Sequence, residues 1–141
     1  MIVFELERII KYYPWLLITN YTFAFAKFFT MPELSRTDKQ TARIIIDKGL
    51  DKEIEKSIQE LEQLIGDCKE KKIPLQEAWR QLYQSIKKND KHISSRYDGL
   101  SGSRYDAVLA AQLKEGVITT ADLDGLEEEI KSTIIRWSSI D

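Results

Sequence analysis

Large apolar side chains recur in the second half of the chain at intervals of four, three, four, seven and four residues, the spacing of one face of an α-helix. This ladder consists of Leu75, Trp79, Leu82, Ile86, Ile93 and Tyr97. No segment shows the sustained apolar and polar alternation that is typical of a strand. We therefore predict an all-α fold in which one long helix carries the ladder as an apolar face.

A second long helix is predicted upstream, beginning after Ser35. Ser35 and Asp38 resemble a capping box, with aspartate in place of the usual glutamate or glutamine. Apolar residues at 44–50 open the helix, and Gly49 would weaken it by about 1 kcal/mol relative to alanine without ending it. Four apolar residues then continue at intervals of four, three and four: Ile54, Ile58, Leu61 and Ile65. Their spacing is that of a coiled-coil-like seam.

These two helices are predicted to form a long antiparallel stalk over 35–98. Gly66 and the polar run 67–72 interrupt the apolar pattern, and Pro74 suits the first turn of the next helix. We expect a homodimer whose interface comprises Ile54, Ile58, Leu61, Ile65, Trp79 and Ile86. An intramolecular core is the alternative, because periodicity does not tell which helix covers an apolar stripe.

A small C-terminal helical head is predicted over 101–139, so that 35–141 forms a single helical domain. Segment 94–103 is rich in serine, glycine and aspartate, as loops are. Ser103 and Asp106 resemble a capping box for a third helix that ends before Gly116. Thr119 or Thr120 is expected to cap a last helix that carries Leu123, Leu126, Ile130, Ile134 and Trp137.

The first 34 residues differ from the rest and are predicted to be an aromatic extension. Segment 12–26 carries no charge, but it is shorter than the roughly twenty apolar residues of a membrane span. Glu5 and Glu7 conflict with the basic leader of a secretory signal. Two interpretations stay open: a dispensable extension with Met31 as the true start, or an interfacial helix that makes peripheral membrane contact through residues 1–30.

The composition and motifs predict a protein that is not an enzyme and holds no metal. A net charge of −2 gives no bulk attraction to nucleic acid. His92 is the single histidine, so one chain cannot build a multi-histidine metal site. The six glycines form no phosphate-binding loop, and no spacing specifies a paired acid and base. The single cysteine, Cys68, excludes an intramolecular disulfide and is compatible with the cytoplasm.

A short tandem echo connects the predicted stalk and head: Ser95-Arg96-Tyr97-Asp98 and Ser103-Arg104-Tyr105-Asp106. One interpretation is that its arginines and phenols clamp carboxylates and carbonyls of a partner. The other is a local capping and packing device, which the serines at the start of both copies favour.

Several residues in a shared order resemble the fluorescence recovery proteins of cyanobacteria over about residues 35–126. The match consists of Ser35, Gln40-Thr41-Ala42 and Glu53-Ile54 in the first helix, Trp79, Ile93 and Tyr97-Asp98 in the second, and Leu113-Lys114-Glu115-Gly116, Leu123 and Leu126 in the head. By this resemblance, Ile58 matches an apolar residue at the family's dimer contact and Trp79 a tryptophan at its functional surface. The family's His-Asp pair is replaced by Leu82 and Tyr83, and an arginine by Asn89 or Asp90.

The resemblance implies an all-helical homodimer that acts without a cofactor. It would bind the C-terminal domain of photoactivated orange carotenoid protein and hasten its return to the inactive orange form. Photoprotective quenching at the phycobilisome would thereby end. The replaced polar residues leave a second interpretation, a dimeric helical adaptor with a different protein client. The implied location is cytoplasmic, near the cytoplasmic face of the thylakoid membrane. The candidate partner-binding residues are Trp79, Leu82, Tyr83, Lys87 and Tyr97.

Overall fold

The structure, a computed structural model, describes residues 31–140 and contains no β-strand in that range, which confirms the all-α prediction. Residues 31–140 form four α-helices, α1 (Arg36–Lys69), α2 (Leu75–Tyr97), α3 (Tyr105–Lys114) and α4 (Glu128–Ser138). Two 3₁₀-helices, Gly102–Arg104 and Thr120–Leu123, flank α3. Leu34–Asp141 forms a compact unit. The predictions for residues 1–30, including membrane contact, lie outside the described residues, and no described helix is long and apolar enough to cross a membrane.

Helix α1 begins as its sequence predicts. The Ser35 hydroxyl accepts the backbone N–H of Asp38 at 3.1 Å and donates to the Asp38 carboxylate at 2.6 Å. This second hydrogen bond is the main reason why the pKa of Asp38 lies below its ordinary value. Asp38 also accepts the backbone N–H of Glu127 at 3.0 Å, so one nearly buried carboxylate joins the start of α1 to the start of α4.

Helix α1 continues through Gly66 and ends at Lys69, within the polar run 67–72 that interrupts the apolar pattern. A single helical glycine costs only about 1 kcal/mol, which the surrounding helix outweighs. The helix ends where Lys71 adopts the left-handed conformation, with φ of 57°. The Lys71 and Lys72 backbone N–H groups then bond to carbonyls of Cys68 and Asp67 at 3.0 and 2.9 Å, and close the turn before α2.

The hydrophobic core lies in the head and is built on the first half of α1. Helix α1 packs against α3, and α3 packs against α4. Almost fully buried apolar side chains fill the space between them: Ala42, Ile46, Leu109, Ile118, Leu123, Ile130 and Ile134. By contrast, the part of α1 beyond Glu53 contains no buried residue, and α2 contains only Ala78.

Helix α3 ends as predicted but begins differently. Gly116, with φ of 71°, lets Val117 donate to the Gln112 carbonyl at 2.8 Å and terminates the helix in a Schellman arrangement. The Ser103–Asp106 capping box does not form, because the 3₁₀-turn Gly102–Arg104 occupies the start of α3. Ser103 instead pairs with Ser101 at 2.8 Å.

The segment predicted to form the last helix forms two elements, a 3₁₀-helix and α4. Thr119 and Asp122 form a capping box, as expected for a helix start, but it caps the short 3₁₀-helix Thr120–Leu123. The chain leaves helical geometry before Glu127, whose ψ is 142°, and α4 follows. This break places both Leu123 and Leu126 in the core.

Candidate functional site

Helix α2 directs four of its large apolar side chains to solvent. It packs mainly on α1, and its one buried residue is the small Ala78. The neighbouring Trp79 is 75% exposed and Leu75 is 81% exposed. Tyr83 and Ile86, one and two turns further along, are also exposed. An exposed tryptophan within a group of exposed apolar side chains is a typical anchor for protein binding.

The second half of α1 also has an exposed apolar face. Ile54, Ile58 and Ile65 are 40%, 51% and 41% exposed, while Leu61 is half-buried. These residues follow the predicted seam spacing, but no other described helix covers them. We call the exposed residues of the two helices the stalk apolar faces: Ile54, Ile58 and Ile65 on α1, and Leu75, Trp79, Tyr83 and Ile86 on α2.

The structure separates two groups among the predicted partner-binding residues. Trp79 and Tyr83 belong to the stalk apolar faces, and Lys87 is exposed one residue after Ile86. Leu82 is half-buried on the same helix. Tyr97 lies elsewhere, in a hydrogen-bonded cluster where α1, α2 and α3 meet.

That cluster surrounds a carboxylate of α1, and we call it the Glu53 cluster. Its members are Glu53, His92, Arg96, Tyr97, Gln112 and Glu115. The Glu53 side chain is 9% exposed and accepts hydrogen bonds from Arg96 and from the Tyr97 hydroxyl. A ring nitrogen of His92 lies 3.2 Å from the same carboxylate. The cost of burying Glu53 is therefore offset by a guanidinium and a phenol.

Arg96 links this cluster to the head. While one of its nitrogens bonds to Glu53, the other donates to the Glu115 carboxylate at 2.5 Å. That hydrogen bond holds the pKa of Glu115 below its ordinary value. Burial, followed by the hydrogen bond to Glu53, raises the pKa of Tyr97 to about 12, so its phenol is protonated at neutral pH.

Gln112 completes the cluster through a close approach to α1. Its amide nitrogen donates to the Ile46 carbonyl at 3.1 Å and to the Tyr97 hydroxyl at 2.9 Å. A Cβ atom at Gly49 would lie 2.1 Å from that nitrogen, so Gln112 fits only because residue 49 has no side chain. Gly49 therefore serves the contact between α1 and α3.

The Glu53 cluster contains side chains that could bind a metal ion, but Arg96 already balances the charge of its carboxylates. Ligand atoms of Glu53, His92 and Glu115 lie within 4.8 Å of one another. Arg96 bonds to both carboxylates, so a metal ion would have to displace a guanidinium with little exposed surface. The arrangement fits a junction that holds the stalk helices to the head.

The tandem echo contributes to this junction through its first copy. Arg96 and Tyr97 bond to Glu53 of α1, and Tyr105 of the second copy hydrogen-bonds to Arg43 of the same helix. The packing interpretation of the echo therefore describes its contacts better than a clamp for a partner. Sequence reasoning did not place Gln112 or Glu53 in a site, although repetition of the Arg-Tyr pair was a signal that both copies contact a common element.

Comparison with protein-family models, with curated proteins and with solved structures finds no match to this chain.

Proposed function

We propose that this chain is a non-enzymatic regulatory binding protein that acts as a homodimer through its helical stalk. The observation that carries the proposal is the exposure of the stalk apolar faces, with Trp79 and Ile58 in water. A Leu, Ile or Phe side chain gains about 1.5–3 kcal/mol when it is fully buried, so such faces favour association. In the proposed dimer, α1 and α2 run antiparallel and the partner's stalk covers them.

The proposed client is photoactivated orange carotenoid protein, bound through its C-terminal domain. Support comes from the sequence resemblance to fluorescence recovery proteins, which includes Ile58 and Trp79 at the positions of that family's dimer contact and functional surface. Binding would favour the route back to the inactive orange form and end quenching at the phycobilisome, with no covalent step and no cofactor. The proposed location is the cytoplasm near the thylakoid membrane.

A dimeric helical adaptor with another protein client is the second candidate. The observation that favours it is the replacement of the family's His-Asp pair by Leu82 and Tyr83. Tyr83 is 63% exposed beside Trp79, so this part of α2 presents an aromatic surface where a polar one is expected. A surface of that kind recognises apolar anchors of a partner.

We expect Ile58→Glu and Trp79→Arg each to convert the dimer to a monomer, because a charge would have to be buried in the interface without a partner. The measurement is molar mass by small-angle scattering or light scattering. Gln59→Glu is the matched control, since it adds the same charge at an exposed neighbouring position of α1 and should keep the dimer. An unchanged mass for both apolar-face variants would refute the stalk interface.

The client is tested by the dark recovery rate of photoactivated orange carotenoid protein, followed by absorbance. We expect the full chain to accelerate recovery, and Trp79→Arg to lose that acceleration while keeping its helical content. Recovery at the unassisted rate in the presence of a well-folded dimer would contradict this client and favour the adaptor.

A further inference from the structure

A groove on the head half of α1 combines positive charge with an exposed apolar residue. Arg36, Lys39 and Arg43 recur at intervals of three and four, so they share one face of the helix. They line a shallow groove of about 720 Å³ together with Gln40, Ile44, Gly102 and Tyr105. None of these lining residues is acidic. We call it the basic groove.

Two of the cations in the basic groove are held in place. The aliphatic stem of Lys39 packs over Gly102, where an added Cβ would lie 3.4 Å from Lys39 Cδ and Cε. Arg43 hydrogen-bonds to Tyr105 and donates through Nε to Asp47 at 3.2 Å. The hydrogen bond to Tyr105 is the main reason why the pKa of Arg43 lies above its ordinary value. Positioned cations lose less conformational freedom when a ligand binds.

The charge of the basic groove is only partly neutralised. Asp47 pairs with Arg43 at 3.1 Å, whereas Arg36 and Lys39 form no ion pair within residues 31–140. The groove is thus locally positive in a chain whose net charge is −2. A local field of this sign attracts carboxylates and steers them toward the surface.

The apolar part of the basic groove is Ile44, which is 59% exposed. The ring of Tyr105 lines the same groove. An inorganic anion would bind the cations but would make no favourable contact with Ile44. A protein segment that carries both carboxylates and an apolar side chain would use both features.

We propose that the basic groove docks an acidic amphipathic helix of a partner protein, with carboxylates spaced three and four residues apart facing Arg36 and Lys39 and an apolar side chain resting on Ile44. The three cations extend over eight residues of α1, or about 10 Å from first to last, which equals two turns of a docked helix. Ile44 and Ile58 are 14 residues apart, about 21 Å along α1. This docking surface therefore goes beyond the function proposed for the stalk.

The test is binding of a fluorescein-labelled designed helix to the full chain at low ionic strength, measured by anisotropy. The peptide, about 18 residues long, carries glutamates spaced three and four apart with one leucine between them on the same face. Two control peptides replace the glutamates by lysines or the leucine by glutamine. We expect the acidic leucine peptide to bind saturably and both controls to bind at least tenfold more weakly.

Variants of the chain locate the binding. Lys39→Glu and Ile44→Gln should each weaken binding of the acidic peptide roughly tenfold, whereas Lys91→Glu, at an exposed cation of α2, should leave it unchanged. Equal binding of the lysine peptide, no saturable binding up to about 1 mM peptide, or no effect of either groove variant would overturn the proposal. Full displacement of the acidic peptide by inorganic phosphate would show that the groove is only an anion site. A change in the molar mass of the protein on Ile44→Gln would show that the groove binds a second copy of this chain. Either result overturns the proposal.

Discussion

Replacing Glu53 by alanine is expected to lower the free energy of unfolding by about 3 kcal/mol, the low end of the usual cost of removing one partner from a buried ion pair, because Arg96 keeps Glu115 as a partner. The loss arises because Arg96, with a side chain 11% exposed, would lose its buried carboxylate. The Tyr97 hydroxyl would lose its acceptor as well. Urea denaturation followed by far-ultraviolet circular dichroism measures the change.

Two further variants make this experiment specific to the Glu53 cluster. Glu55→Ala removes the same side chain from an exposed position two residues away on α1, and it should change stability by no more than about 0.5 kcal/mol. Glu53→Gln keeps the shape and one acceptor oxygen and should give a loss between those of the other two variants. Equal losses for Glu53→Ala and Glu55→Ala would show that the cluster does not hold the junction together.

Replacing Gly49 by alanine is expected to destabilise the protein by about 2 kcal/mol, although alanine is the better helix former. In an open helix the substitution would gain about 1 kcal/mol. Here the new Cβ must displace the Gln112 amide, which is fully buried, and break its hydrogen bonds to the Ile46 carbonyl and the Tyr97 hydroxyl. Each buried group left without a partner costs about 1–3 kcal/mol, which exceeds the gain.

A double-mutant cycle with Gln112→Ala isolates this contact. In the Gln112→Ala background the space beside Gly49 is empty, so Gly49→Ala should be neutral or stabilising by up to about 1 kcal/mol. The sign of its effect should therefore reverse between the two backgrounds. If Gly49→Ala destabilised both backgrounds equally, its effect would come from something other than the approach of Gln112.

Local signals in the sequence predicted most helix limits. The Ser35 cap, the restart at Pro74 and the stop at Gly116 all act within a few residues, where the side chain or backbone that ends a helix is close to it in the chain. The apolar spacing also gave the correct helical class. The predicted start of α3 was the exception. Ser103 was expected to cap this helix, but it lies inside the 3₁₀-helix Gly102–Arg104 that precedes α3.

Such local signals did not predict the contacts between helices. Glu53 and Arg96 are 43 residues apart, and the repeated Arg-Tyr pair pointed to a common element without identifying Glu53 as the partner. Gly49 looked like a weak point in a helix, yet its role depends on Gln112 from α3. The ladder residue Trp79 had the spacing of a core residue, but periodicity describes one face of a helix and not what covers it.

The length of α1 links the chemistry of the head to the far end of the stalk. Its first half is fixed in the core, whereas the part beyond Glu53 contains no buried residue and forms an arm that extends from the head. From Gly49 to Lys69 the arm measures about 30 Å. A change of roughly 10° in the direction of this arm would place its tip about 5 Å away, as far as one helical turn. The contacts that α1 makes with Gln112 and Arg96 therefore set the position of residues about 30 Å away at the end of the helix.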